Sequence, residues 1–210
     1  MASNRMGVYR SRILPHLMNA VMNTDENREI RSRVCSGLDG TVVEIGFGSG
    51  LNVPHYPTSV HTVHAVEPAA RSVAIAAGRI KAGHAEVHHT GLTGEHVDLP
   101  TASADAVLST WTLCSIPDVD AALAEIRRLL KPGGTVHFVE HGISPDPNVA
   151  RRQGRIEPIN KALLGGCHLT RDIPAILIRA GFVIDTMTTY QHAKEPKAFG
   201  WTFEGRAAVA

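Results

Sequence analysis

The sequence predicts a doubly wound α/β domain: a mostly parallel sheet of seven strands covered by helices and preceded by two lid helices. Three observations carry that expectation. The β-branched run Val42-Val43-Glu44-Ile45 leads directly into Gly46-Phe47-Gly48-Ser49-Gly50, so a buried strand ends in a turn whose missing Cβ atoms leave backbone amides approachable. A second apolar run, His61-Thr62-Val63-His64-Ala65-Val66, ends in Glu67-Pro68, with the carboxylate 21 residues beyond Gly46. That spacing matches the first two strands of doubly wound sheets. Beyond it, strand-like runs and helix-periodic segments alternate, the order expected of parallel strands joined by crossover helices.

Each element follows from local pattern. Residues 9–22 and 25–36 carry helical spacing, with Leu14, Leu17 and Val21 on one stripe and Ile30 and Val34 on the next. They make residues 1–38 a helical lid and residues 39–210 the core of a single domain. The alanine-rich segment 69–80 favours a helix broken by Gly83, and 85–89 suits a short third strand. Residues 104–110 read as the fourth strand. Asp118 is a good N-cap for a helix that sets Val119, Leu123, Ile126 and Leu130 on one face before Pro132-Gly133-Gly134. Residues 135–140 form the fifth strand, followed by a helix whose Arg151, Arg152, Gln153 and Arg155 read as a solvated face. A last helix over 171–180, stopped by Gly181, leads to strands over 182–190 and 198–208.

The glycine turn indicates the ligand. A nicotinamide fingerprint needs G-x-G-x-x-G, but Leu51 follows Gly50 directly, leaving E-x-G-x-G-x-G. In doubly wound folds an acid about 20 residues after the turn accepts from ribose hydroxyls, the role expected of Glu67. The pattern resembles the first motif of class I S-adenosylmethionine (SAM) dependent methyltransferases, which have a Rossmann-like fold. The resemblance implies SAM as cofactor and S-adenosylhomocysteine as product. It also implies Glu44 near the cationic methionine portion, Gly46, Gly48 and Gly50 as the receiving turn, and Glu67-Pro68 beside the ribose. Glu95 takes the place of the acid that accepts from the adenine amino group, although Glu95-His96 departs from the usual Asp-Ala. Thr110 and Leu113 complete the cofactor set at the carboxyl edge of the fourth strand, where open α/β sheets bind ligands.

Four further runs narrow the resemblance. Thr112-Leu113-Cys114-Ser115-Ile116-Pro117-Asp118, Leu129-Leu130-Lys131-Pro132-Gly133-Gly134, Phe138-Val139-Glu140-His141 and Gly166-Cys167-His168-Leu169-Thr170-Arg171 are similar, in order, to the methyltransferase-like thiol S-methyltransferases. Those enzymes methylate small thiols and carry an N-terminal membrane anchor; no such anchor is expected here. The implied reaction is in-line displacement onto a small-molecule acceptor, with a thiol favoured. O-, N- or C-methylation of a quinone or phenol, or SAM binding without turnover, are the alternatives. His141 is the candidate general base, since a histidine near neutral pKa can promote thiolate formation. Tyr9, Cys114, His141, Cys167 and His168 are the candidate acceptor residues.

Composition excludes other classes. A chain of 210 residues, 43% hydrophobic and 20% charged, with a net charge of +1, forms one sizeable core and has no basic face for nucleic acid. No apolar run reaches membrane-spanning length and the first residues lack a signal-peptide pattern, so a cytoplasmic location is expected. Cys35, Cys114 and Cys167 form no C-x-x-C pair, and the twelve histidines are dispersed, so reduced thiols and no metal cluster are expected.

Overall fold

A computed structural model describes residues 9–91, 93–163 and 165–210, apart from the Arg10 side chain. Seven strands form one sheet: β1 (Gly40–Ile45), β2 (Val60–Val66), β3 (Glu86–Gly91), β4 (Ala104–Thr110), β5 (Leu130–His141), β6 (Phe182–Gln191) and β7 (Trp201–Val209). Their order is β3-β2-β1-β4-β5-β7-β6. Strands β1 to β5 are parallel, and β7 runs antiparallel between β5 and β6. The order reverses between β1 and β4, so the crevice beyond their carboxyl ends is the topological switch point where such sheets bind ligands.

Among the described residues six α-helices accompany the sheet: α1 (Leu14–Val21), α2 (Asp25–Cys35), α3 (Ala70–Ala82), α4 (Val119–Leu129), α5 (Pro147–Leu163) and α6 (Ile173–Arg179). Strand β1 is buried on both faces, as a central parallel strand must be. Val43 and Ile45 join one apolar cluster with Leu123, Ile126 and Leu129 of α4 and Ile173 and Leu177 of α6. Val42 joins a second, with Ile30 and Val34 of α2 and Ala76 of α3, and Cys114, Cys167 and Leu169 make a small third. Asp118 caps α4 by accepting from Ala121 N at 3.0 Å.

Strand β7 begins later than expected, at Trp201, and Gln153, expected on a solvated face, is fully buried, accepting from Ser144 N and donating to Gly142 O; two further boundaries depart by more. The helix expected over 9–22 is a π-helical turn, Tyr9–Ile13, followed by α1. Pro15 lies at the start of α1, where its missing N–H is harmless but where it would break a continuous helix. Strand β5 begins at Leu130, five residues early: Leu130 pairs with Ala104 and the register shifts before Ala106 pairs with Thr135. Gly133, at φ +81°, allows that bulge, so the Pro-Gly-Gly run is absorbed into the strand. No helix among the described residues is long and apolar enough to cross a membrane.

Candidate functional site

A cleft of about 540 Å³ lies at the switch point between the glycine turn, the Glu67–Ala69 segment, the Gly94-Glu95 turn, the loop after β4 and the inner side of α1. The turn is built from glycine for three different reasons. At Gly46, φ +74°, a Cβ would collide with the Thr112 side chain. At Gly50, φ +72°, it would press on Ala76 Cβ at 3.1 Å and the Phe47 ring at 3.3 Å. At Gly48, φ +57°, nothing lies nearer than Gly46 O at 3.8 Å, so this position is open on the cleft side. Glu67 clamps the turn, accepting from Gly48 N at 2.8 Å and from Ala69 N at 2.7 Å. Burial raises its pKa, against the lowering effect of those two amides.

Beneath the turn, Glu44 is 1% exposed and does not reach the cleft wall. It accepts from Asn52 Nδ2 at 2.9 Å and from Tyr56 OH. Asn52 also accepts from Arg31 Nη1 at 2.7 Å, and Thr110 Oγ1 accepts from both Arg31 Nη1 and Asn52 Nδ2. The Asn52 amide therefore links a buried guanidinium to a buried carboxyl group. Burial pushes Glu44 up to about 7, against hydrogen bonds from Tyr56 and Asn52 and the charge of Arg31. Burial likewise lowers Arg31 to about 10 despite Glu44, so it remains cationic at neutral pH.

These values set a pH dependence. Between about pH 4.5 and 7 native Glu44 holds a proton that the unfolded chain has released, so its contribution to stability falls as pH rises through that window and is level above it. Glu44→Gln removes this loss. Relative to wild type, the variant is expected to gain roughly 2–3 kcal/mol between pH 5 and pH 8, since each tenfold difference in proton affinity is worth about 1.4 kcal/mol. Urea unfolding of both proteins across that range measures the difference; parallel pH profiles would contradict it.

Arg31 and Trp111 form the cleft wall nearest α2. The guanidinium carbon lies 4.9 Å from the Trp111 ring centroid, a cation–π contact. Arg31 Nε and Trp111 Nε1 are buried without hydrogen-bond partners. Trp111 has φ +53°, a left-handed conformation that bulky residues rarely adopt. The loop that imposes it is held by Glu140, which accepts from Ser109 Oγ at 2.7 Å and from the amides of Thr112, Leu113 and Cys114, each at 3.0 Å.

Of the residues singled out by sequence, Gly46, Gly48, Glu67, Pro68, Glu95 and Thr110 line the cleft. Glu44, Gly50 and Leu113 lie behind its wall; Leu113 is fully buried in the core. Tyr9 donates to Leu163 O at 2.9 Å, and His168 Nδ1 sits 3.7 Å from Glu157 Oε1. Neither lines the cleft. Cys114, His141 and Cys167 converge on one another instead, and the His141 ring is 6.2 Å from that of Trp111. Sequence reasoning missed Arg31, Asn52, Trp111 and Glu140. A cation followed by an asparagine after the glycine turn and a carboxylate closing β5 were visible only as isolated polar residues.

The fold, the glycine turn and the clamping carboxylate define a class of nucleotide-cofactor enzyme, and comparison with known proteins identifies it. Residues 43–138 match the family model described as a methyltransferase domain. The chain is 30% identical over 188 residues to thiol S-methyltransferase TMT1B of Mus musculus, covering 84% of this chain and 73% of that protein. It is 31% identical over 169 residues to TMT1B of Rattus norvegicus, covering 77% of this chain and 65% of the rat protein's length. A SAM-dependent methyltransferase structure from Thermotoga maritima superposes with a TM-score of 0.65 at 20% identity, covering 93% of this chain and 94% of its own; that likeness concerns the fold. The chain belongs to the class I SAM-dependent methyltransferases. Within them it resembles the thiol S-methyltransferase branch.

Proposed function

We propose that the protein transfers the methyl group of SAM to a small, largely apolar thiol held between the glycine turn and α1. The observation that carries this reading is the mixed lining of one cleft: polar groups of the glycine turn, Glu67 and Glu95 share it with apolar Leu14, Met18, Met22, Trp111 and Ile116. The open space beside Gly48 fits a close-approaching cofactor. In this reading Gly46 and Gly48 receive it, Glu67 accepts from the ribose hydroxyls beside Pro68, and Glu95 accepts from the adenine amino group. The unpaired Nε of Arg31 binds the methionine carboxylate. Glu44, behind the wall, balances the cationic portion at longer range, and Thr110 fixes Arg31.

When bound, SAM supplies a sulfonium-activated methyl group for in-line displacement. The chain contributes alignment and exclusion of water, the two effects that dominate when the leaving group is already activated. The wall formed by α1 and Trp111 suits an apolar body, and the names of the relatives support sulfur as its nucleophile. His141 stands next to Trp111 but outside the cleft wall, so the acceptor's own acidity provides its thiolate and turnover rises with pH toward the acceptor's pKa.

A panel of aliphatic and aromatic thiols with matched alcohols, phenols, amines and quinones, assayed with methyl-labelled SAM, tests the reading. Thioether products are expected. Transfer only to other nucleophiles overturns the thiol assignment, and tight SAM binding without any product overturns turnover. Arg31→Met, with folding checked by circular dichroism, is expected to weaken SAM by about 1.5–3 kcal/mol, the scale of a hydrogen bond to a charged group. Adenosine, which has no carboxylate, should bind this variant unchanged in the same calorimetric titration.

A further inference from the structure

We propose that Cys114, His141 and Cys167 form a binding site for a thiophilic divalent cation, zinc in the first instance. Their donor atoms all lie within 4.8 Å of one another. Cys167 Sγ is 3.9 Å from His141 Nδ1. Tetrahedral zinc, with bonds of about 2.3 Å to sulfur and about 2.1 Å to nitrogen, needs donors roughly 3.5–3.8 Å apart. Side-chain rotation by about 1 Å or less closes the difference. Two thiols and an imidazole form a soft donor set, which selects zinc over magnesium or calcium.

A second, independent observation comes from the other ring nitrogen. His141 Nε2 is buried without a hydrogen-bond partner, and Glu195 Oε2 faces it at 3.5 Å. A carboxylate behind an imidazole is the arrangement that fixes the ring and its tautomer when the opposite nitrogen binds a metal. The cysteine backbones are also held: Cys114 N donates to Glu140 Oε2 at 3.0 Å and its carbonyl accepts from His168 N at 2.8 Å, while Cys167 O accepts from Asn160 Nδ2 at 2.8 Å. The donors come from the loop after β4, the end of β5 and the segment between α5 and α6, with Glu195 between β6 and β7. A cation here ties these segments together directly behind the cleft wall. The site reverses the expectation of no metal cluster: its ligands are about 26 residues apart in sequence, and only the sheet brings them together.

Coordination displaces both thiol protons to solvent and leaves the cysteines as thiolates. The reduced full-length chain, titrated with zinc in competition with a chromophoric chelator, is expected to bind one equivalent. Cobalt in its place should give a thiolate-to-metal charge-transfer band and the visible absorption of a tetrahedral centre. Cys114→Ser and Cys167→Ser should each lose that band. Glu195→Gln, which leaves all three ligands in place, should weaken zinc by about 10- to 100-fold. Cys35→Ser, buried in the second core cluster, should bind as wild type does. Circular dichroism verifies folding of each variant, and the Glu195→Gln comparison stands even where a cysteine variant fails to fold. Absence of stoichiometric binding by the folded wild type, a cobalt spectrum without thiolate charge transfer, or unchanged affinity in Glu195→Gln would overturn the site.

Discussion

Gly48→Val abolishes SAM binding in a protein that still folds: this is the expected result with the largest effect on the cofactor. The open space around the Gly48 Cβ position means that no packed neighbour has to move. The left-handed backbone costs a non-glycine residue about 1–2 kcal/mol, a loss that a domain of this size survives. The branched side chain then occupies the space beside the backbone that the cofactor needs. Gly46 behaves differently, because even alanine there meets Thr112 and disturbs the loop. Calorimetric titration with SAM, alongside circular dichroism, separates the two. A folded Gly48→Val protein with normal affinity would move the cofactor away from this turn.

Glu67→Ala is expected to lower SAM affinity by about 2–4 kcal/mol, since two hydrogen bonds to a carboxylate are lost. The structure adds a reason for the upper end of that range. The same carboxylate holds Gly48 N and Ala69 N, so its removal also loosens the surface that the cofactor contacts. Glu67→Gln keeps one acceptor oxygen and should fall between wild type and alanine. Calorimetry with SAM and with adenosine should show parallel losses, because both ligands carry the ribose. Undiminished binding of either would remove the ribose assignment.

The parts legible in the sequence were those set by local chemistry. A β-branched run, alternating glycines and an acid at fixed separation announce the first two strands, and Asp118 announces its helix through a cap that depends on a few adjacent residues. The mostly parallel sheet and the burial of β1 follow from the alternation of strands and helices, whereas the strand order, with β7 antiparallel between β5 and β6, depends on partners distant in the chain. Other features depend on distant partners. Arg31 gains meaning only when Asn52 and Thr110 surround it, and Glu140 only when the loop after β4 folds back over its oxygens. Cys114, His141 and Cys167 looked like acceptor residues because each follows a strand or loop at the functional edge. Their mutual convergence requires the full β4–β5 register and the return of the chain through α5. The early start of β5 was hidden for a related reason: Pro132-Gly133-Gly134 reads as a stop unless the bulge opposite Ala104 is known.

Glu140 also determines which side of the cleft can yield. One buried carboxylate takes the hydrogen bonds of Ser109 and three successive amides, fastening the loop that carries Trp111 to the end of β5. The indole is thus set on a stiff mount. Across the opening, the described part of the N-terminal segment buries Leu14 and Pro15, and its hydrogen bonds include Tyr9 OH to Leu163 O and Arg71 Nε to His16 Nε2, both exposed to water. In the proposed reading, an acceptor too large for the cleft meets this fastened loop on the sheet side and the helix α1 on the other. If the acceptor binds as proposed, tolerance for its size is set at α1, and shortening or stiffening that helix is the direct way to narrow it.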